Sequence, residues 1–99
     1  MTETEFLEIA EREMNRLQDL IESKYEDADC SRSGNVLTIE LDDGAQAVVN
    51  IQTPMREIWL ASHLGGMHFA PTADGWINPR DGRTLEASTV AAVEALLAR

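Results

Sequence analysis

A single cysteine, Cys30, is too few for an intramolecular disulfide, and the chain fits a reducing compartment. Basic residues are scarce: 8 Lys and Arg stand against 18 Asp and Glu, for a net charge of -10. That deficit argues against nucleic acid and anionic membrane surfaces as partners, because their phosphates would be repelled. It favours cations or a basic protein. No apolar run approaches the roughly 20 residues of a membrane span. The start, MTETEFLEIAER, has neither the basic n-region nor the apolar h-region of a signal peptide, and is too acidic for a transit peptide. A bacterial cytoplasmic protein is the expectation. The spacings HExxH and GxSxG, a Gly-rich phosphate loop, an EF-hand loop and a convincing triad are all missing, so motifs alone make a weak case for an enzyme. Without repeats, low-complexity segments or a linker, the 99 residues are expected to form one domain, 1–99.

What remains is pattern. Phe6, Ile9, Ala10, Met14, Leu17, Leu20 and Ile21 recur mostly at steps of three and four, which predicts a helix from about Thr4 to Ser23. Thr2 or Thr4 is placed to cap it, and Glu3, Glu5 and Glu8 suit its N-terminus. Turn residues at Ser33–Asn35 and Asp42–Gly44 then divide the next segment into strands of about Asp27–Arg32, Val36–Leu41 and Ala45–Gln52. EIWLA, MHFA and GWIN supply three more. Thr84 caps a second amphipathic helix lined by Leu85, Thr89, Ala92, Val93, Leu96 and Leu97, with Ser88 and Thr89 interrupting its apolar run. Strands bunched between two helices predict an α+β fold, two helices on one face of an antiparallel sheet of about six strands. The other face is left to solvent.

Two groups of residues stand out as candidate sites. Glu8, Glu11, Asp19 and Glu22 fall on the outer face of the first helix, and Glu26, Asp27 and Asp29 follow in the loop and first strand. Clustered carboxylates repel one another unless cations bind, and their oxygens suit hard metals such as iron, calcium, magnesium or manganese. The plain alternative is a solvated helix face. The second group is Asn50, Gln52, Trp59 and His68, which by alternation share the outward face of the sheet with Thr38. A tryptophan ringed by amides is the composition of a protein-interaction hot spot. The alternatives are a covering loop or a shifted phase that puts Trp59 in the core. His63 and His68 have no zinc spacing, Cys30 reads as a packed strand thiol, Trp76 as structural, and Asp74 and Asp81 as turn formers.

The run NIQTPMREIWLASHLGGMHF resembles the signature of the frataxin family, most of all its bacterial members. The resemblance rests on Asn50, Gln52, Pro54, Ile58–Ala61, Gly65, Gly66, His68 and Phe69, and extends over about residues 3 to 90. It implies an α-β sandwich and a role in iron-sulfur cluster biogenesis. It further implies weak, exchangeable binding of Fe2+ and Fe3+ on an acidic ridge, with other divalent cations competing, and docking on the cysteine desulfurase and the iron-sulfur scaffold protein. Carried over by position, the ridge ligands are Glu11, Asp19, Glu22, Asp27 and Asp29, with Glu8 and Glu26 nearby, and the sheet contacts are Asn50, Gln52 and Trp59. A monomer that self-associates with iron fits the resemblance. A ferroxidase, or a generic acidic interaction module, is the alternative reading. Gln18, Ser23 and Lys24 interrupt the ridge, and the second helix has almost no tail, where a family tail packs between the helices. Modest stability, raised by divalent cations, is therefore expected.

Overall fold

The computed structural model describes residues 1–99. Helix α1 (Glu3–Lys24) leads into strands β1 (Ala28–Ser33), β2 (Val36–Leu41), β3 (Gln46–Gln52), β4 (Glu57–Ser62), β5 (Gly65–Thr72) and β6 (Gly75–Ile77), and helix α2 (Leu85–Leu97) follows. The strands pair antiparallel in chain order, β1 to β6, as a meander. The expected α+β order therefore holds, with strand ends shifted by a residue or two. Asp27 lies in the turn before β1 rather than in it.

The N-terminus of α1 is set by Thr2, whose side chain accepts from the Glu5 N–H while the Glu5 carboxylate accepts from the Thr2 N–H, a reciprocal capping box. Those hydrogen bonds hold the Glu5 carboxyl below its usual pKa. Between β1 and β2 only Gly34 and Asn35 form the turn, because Ser33 pairs with Val36. Gly34 takes φ +55 there, a conformation that costs a residue without Cβ almost nothing. Arg56, between β3 and β4, is the sole non-glycine with positive φ, at 53, and its guanidinium folds back to donate to the Thr53 carbonyl at 2.8 Å.

One apolar cluster joins the layers. Phe6, Ala10, Met14, Leu17 and Ile21 of α1 meet Leu37 and Ile39 of β2, Val49 and Ile51 of β3, Ile58 and Leu60 of β4, and Leu85, Val93 and Leu96 of α2. Phe6 packs edge-on against Trp76, with ring centroids 5.9 Å apart, so Trp76 is a core residue as its pattern indicated. On α1, Ile9 and Leu20 are only partly buried. On α2 the expected lining residues Leu85, Thr89, Ala92, Val93 and Leu96 are buried, joined by Ser88, whereas Leu97, the last residue of the helix, is 42% exposed. Thr89 satisfies its hydroxyl by donating to the Leu85 carbonyl at 2.8 Å, but the buried Ser88 hydroxyl has no partner. α2 is tied to α1 by Arg16, which pairs with Glu86 across the helices and with Glu13 on its own helix.

Two stability measurements follow from this packing. Phe6→Ala removes a fully buried ring and its contact with Trp76, and is expected to cost about 3–5 kcal/mol in urea unfolding. An unchanged midpoint would contradict the packing. Ser88→Ala removes an unsatisfied hydroxyl from a helix interior and is expected to raise stability by about 1 kcal/mol.

Candidate functional site: an uncovered sheet face beside an acidic edge

Because every inward side chain of β3 and β4 is used by the core, the residues between them are left on the far side of the sheet. The strand register then decides who meets whom. Val36 pairs with Asn50, Asn50 with Trp59, and Trp59 with His68, so four residues form one row across β2, β3, β4 and β5. Trp59 and His68 lie ring on ring, with centroids 4.1 Å apart and planes within 5°. The indole Nε1 donates to Glu57 Oε1 at 2.8 Å, and His68 Nδ1 is 3.6 Å from the same oxygen. Gln52 Nε2 donates to Asn50 Oδ1 at 3.0 Å, which links the two amides. The four expected residues thus share a face, Trp59 is outside the core, and no loop buries it. The arrangement presents an aromatic plate with amide groups at its rim, suited to recognising a protein surface that is apolar at its centre and polar around it. His63 lies at the β4–β5 turn, away from this row.

Glu57 was not singled out from the sequence, although it is two residues from Trp59 and therefore on the same strand face. Val36, 37% exposed at the end of the row, was missed because an aliphatic at a strand start reads as core.

The acidic residues occupy the neighbouring edge. Glu8, Glu11, Asp19 and Glu22 are exposed on α1, and Glu26 and Asp27 are exposed in the turn that follows. Asp29 differs. It pairs with Glu40 on the outer face of the sheet, whereas Ala28, Cys30 and Arg32 of the same strand face the helices. The carboxylates therefore wrap around edge strand β1 rather than lining one side of it. Cys30 is half-buried on the helix-facing side. Burial first, and then the charges of Glu22 and Asp29, push its thiol up to about 11, so it stays protonated at neutral pH. No group of three or more His, Cys, Asp and Glu side chains converges to hold a metal ion. The carboxylates are separate, solvated and open, a geometry for hydrated hard cations held by one or two oxygens each.

One ridge acid is already paired. Arg32 Nη2 lies 2.6 Å from Glu11 Oε2, Nη1 donates to Asn15 Oδ1 at 3.5 Å, and Nε donates to the Gly34 carbonyl at 2.9 Å. Sequence reasoning passed over Arg32, although a charged residue at an inward-facing strand position signals a partner on the element packed there.

Known proteins are similar to this chain in sequence and fold. The family model for the frataxin-like domain matches residues 1–98. An iron-sulfur cluster assembly protein CyaY from Janthinobacterium sp. (strain Marseille) is 47% identical over 93 residues, covering 89% of this chain and 83% of that protein. The protein of the same name from Neisseria meningitidis serogroup B is 47% identical over 83 residues, 84% of this chain and 78% of its own. Among solved structures, a frataxin from Psychromonas ingrahamii, of the CyaY protein family, superposes with a TM-score of 0.89 at 27% identity, covering 97% of this chain and 91% of that one. A trimeric yeast frataxin complexed with ferrous iron superposes with a TM-score of 0.69 at 26% identity, covering 100% and 88%. On a family match that spans the helices, the sheet and both candidate surfaces, the chain belongs to the frataxin family, among its bacterial CyaY members.

Proposed function

We propose that this protein is an iron-binding regulator of iron-sulfur cluster assembly, which docks on a cysteine desulfurase and its scaffold protein. The observation that carries the reading is the row Asn50–Trp59–His68, held on a solvent-facing sheet beside an edge of carboxylates of which Glu11 alone is ion-paired. Its relatives from Janthinobacterium and Neisseria are named for iron-sulfur cluster assembly, and the yeast relative is complexed with ferrous iron, which supports iron as the cargo here.

The two surfaces divide the work. Glu8, Asp19, Glu22, Glu26, Asp27 and Asp29, with Glu11 when it is free, hold Fe2+ or Fe3+ in shallow, partly hydrated sites whose only protein ligands are carboxylates. Hard oxygen donors without a closed shell make such binding weak and exchangeable, and let manganese or calcium compete. The same charge draws a basic surface of the desulfurase toward the edge and speeds encounter. Trp59, with Asn50, Gln52 and His68 around it, then provides the buried anchor.

The test is a pull-down of the purified protein on its cognate desulfurase, with and without the scaffold. Trp59→Ala is expected to weaken binding about thirtyfold, the effect of losing a 2 kcal/mol hot spot. Reversing Glu11, Asp19 and Glu22 together to Lys is expected to weaken it further at low salt than at high salt. Absence of binding by the unaltered protein, folded by circular dichroism, sinks the reading and leaves an acidic protein with a solvated helix face.

Ridge repulsion gives a second measurement. Calcium or manganese at about ten times its dissociation constant is expected to stabilise the fold by about 1.4 kcal/mol, several degrees in melting temperature. The shift should shrink as sodium chloride is raised. No shift at low salt removes the case for cation binding on this edge.

A further inference from the structure

We propose that the pocket between β5 and residues 78–80 takes one acidic side chain of the protein that docks on the sheet, held by the Arg80 guanidinium and the Asn78 amide. The inference rests on the reading of the Trp59 face as a docking surface and names the chemistry of one contact beside it.

The pocket exists because β6 stops early. Its pairs with β5 are Thr72–Gly75, Pro71–Trp76 and Ala70–Ile77. Asn78 then turns both backbone groups the other way: its N–H donates to the Arg83 carbonyl and its carbonyl accepts from the Gly82 N–H, each at 2.8 Å. By alternation the next N–H to face β5 would belong to residue 79, which is proline and has none. The ladder ends, the chain parts from β5, and a pocket of about 200 Å³ opens beside His68, with Glu57, Asn78 and Arg80 on its walls. Drug-sized ligands occupy about 300–1,000 Å³, so this space suits a single side chain.

The groups left free in the pocket are donors. Asn78 is only 7% exposed, and its Oδ1 accepts the Arg80 N–H at 2.8 Å, whereas its Nδ2 donates to no group of the protein. Arg80 is exposed and takes part in none of the six ion pairs. Glu57 is committed to the ring pair instead: its Oε1 accepts the Trp59 indole N–H at 2.8 Å and lies 3.6 Å from His68 Nδ1. A buried amide with an empty donor gains most from an acceptor that arrives with a partner. A carboxylate has oxygens enough to accept from that amide and from a guanidinium at once, and such charge-assisted bonds are stronger than neutral ones. The two backbone bonds of Asn78 set the path of the loop that carries Arg80 before contact.

The face therefore differs in charge from one edge to the other. Acids gather around β1, first in the strand order, and Arg80 stands beyond β5 near the opposite edge. A partner that offers a basic group to one edge and an acidic group to the other lands in one orientation only.

Two arms test the pocket. In the first, 15N-labelled protein is titrated with the peptide acetyl-Gly-Glu-Gly-amide, and the side-chain NH2 signals of Asn78 are followed. They are expected to shift with this peptide, to shift far less with acetyl-Gly-Gln-Gly-amide, and to lose the response in Arg80→Gln. Equal shifts with both peptides, or none with either, overturn the proposal. The second arm measures association and dissociation rates on the desulfurase and scaffold complex. Arg80→Gln is expected to weaken binding about tenfold, mostly through faster dissociation, as for a desolvated charge pair. Arg83→Gln removes a charge from the same loop outside the pocket and should slow association alone. Equal effects of the two variants, or a loss confined to association, overturn the pocket in favour of a general charge effect. Binding that is weakened by Trp59→Ala but indifferent to Arg80→Gln removes the pocket and leaves the docking reading intact. If the complex does not bind the unaltered protein while the Asn78 signals still answer the Glu peptide, the docking reading fails and the acid-binding pocket stands.

Discussion

The inward side chains of β2, β3 and β4 are buried against two helices that both lie on one side of the sheet, and this one-sided burial constrains everything else. A strand alternates strictly, so fixing Val49, Ile51, Ile58 and Leu60 in the core fixes Asn50, Gln52, Glu57 and Trp59 outside it. A slip of one residue in β4 would put Trp59 inside and Leu60 in water. The apolar transfer energy of the core therefore guarantees the chemical identity of the opposite face. The antiparallel meander adds the lateral order, since each hairpin sets the next register and so brings Trp59 level with Asn50 and His68.

That logic explains what was legible beforehand. The helices, the six strands and the outward phase of Trp59 are carried by short-range periodicity and turn residues, which a sequence displays directly. The site residues Asn50, Gln52, Trp59 and His68 share a strand face, so the same periodicity placed them together. What stayed hidden depends on three-dimensional neighbours. Arg32 looked like an ordinary strand residue until α1 was seen to lie over it. Asp29 was grouped with the helix acids by nearness in sequence, yet the pleat turns it to the other side of β1. Leu97 was expected in the buried stripe of α2, yet as the last residue of that helix it is 42% exposed, because where a helix leaves the core is set by tertiary packing and not by periodicity.

The acidic edge obeys a different rule from the core. Its carboxylates gain nothing from one another, and the fold tolerates them because they are spread along a helix, a turn and both faces of an edge strand. Charges on an exposed edge also discourage another strand from pairing there. Cys30 records how close the two sides are, since a helix carboxylate and a strand carboxylate both oppose its ionisation.

Glu57 has a consequence of another kind. By accepting the indole N–H and lying beside the imidazole, it pins the Trp59 ring flat against His68 before anything arrives. Two aromatic rotamers are thus already chosen in the free protein. Ordering a side chain on association commonly costs about 0.5–1.5 kcal/mol, and on this surface most of that entropy is surrendered during folding rather than during encounter. The plate behaves as a rigid template, so that selectivity among partners falls to the shape of what lands on it.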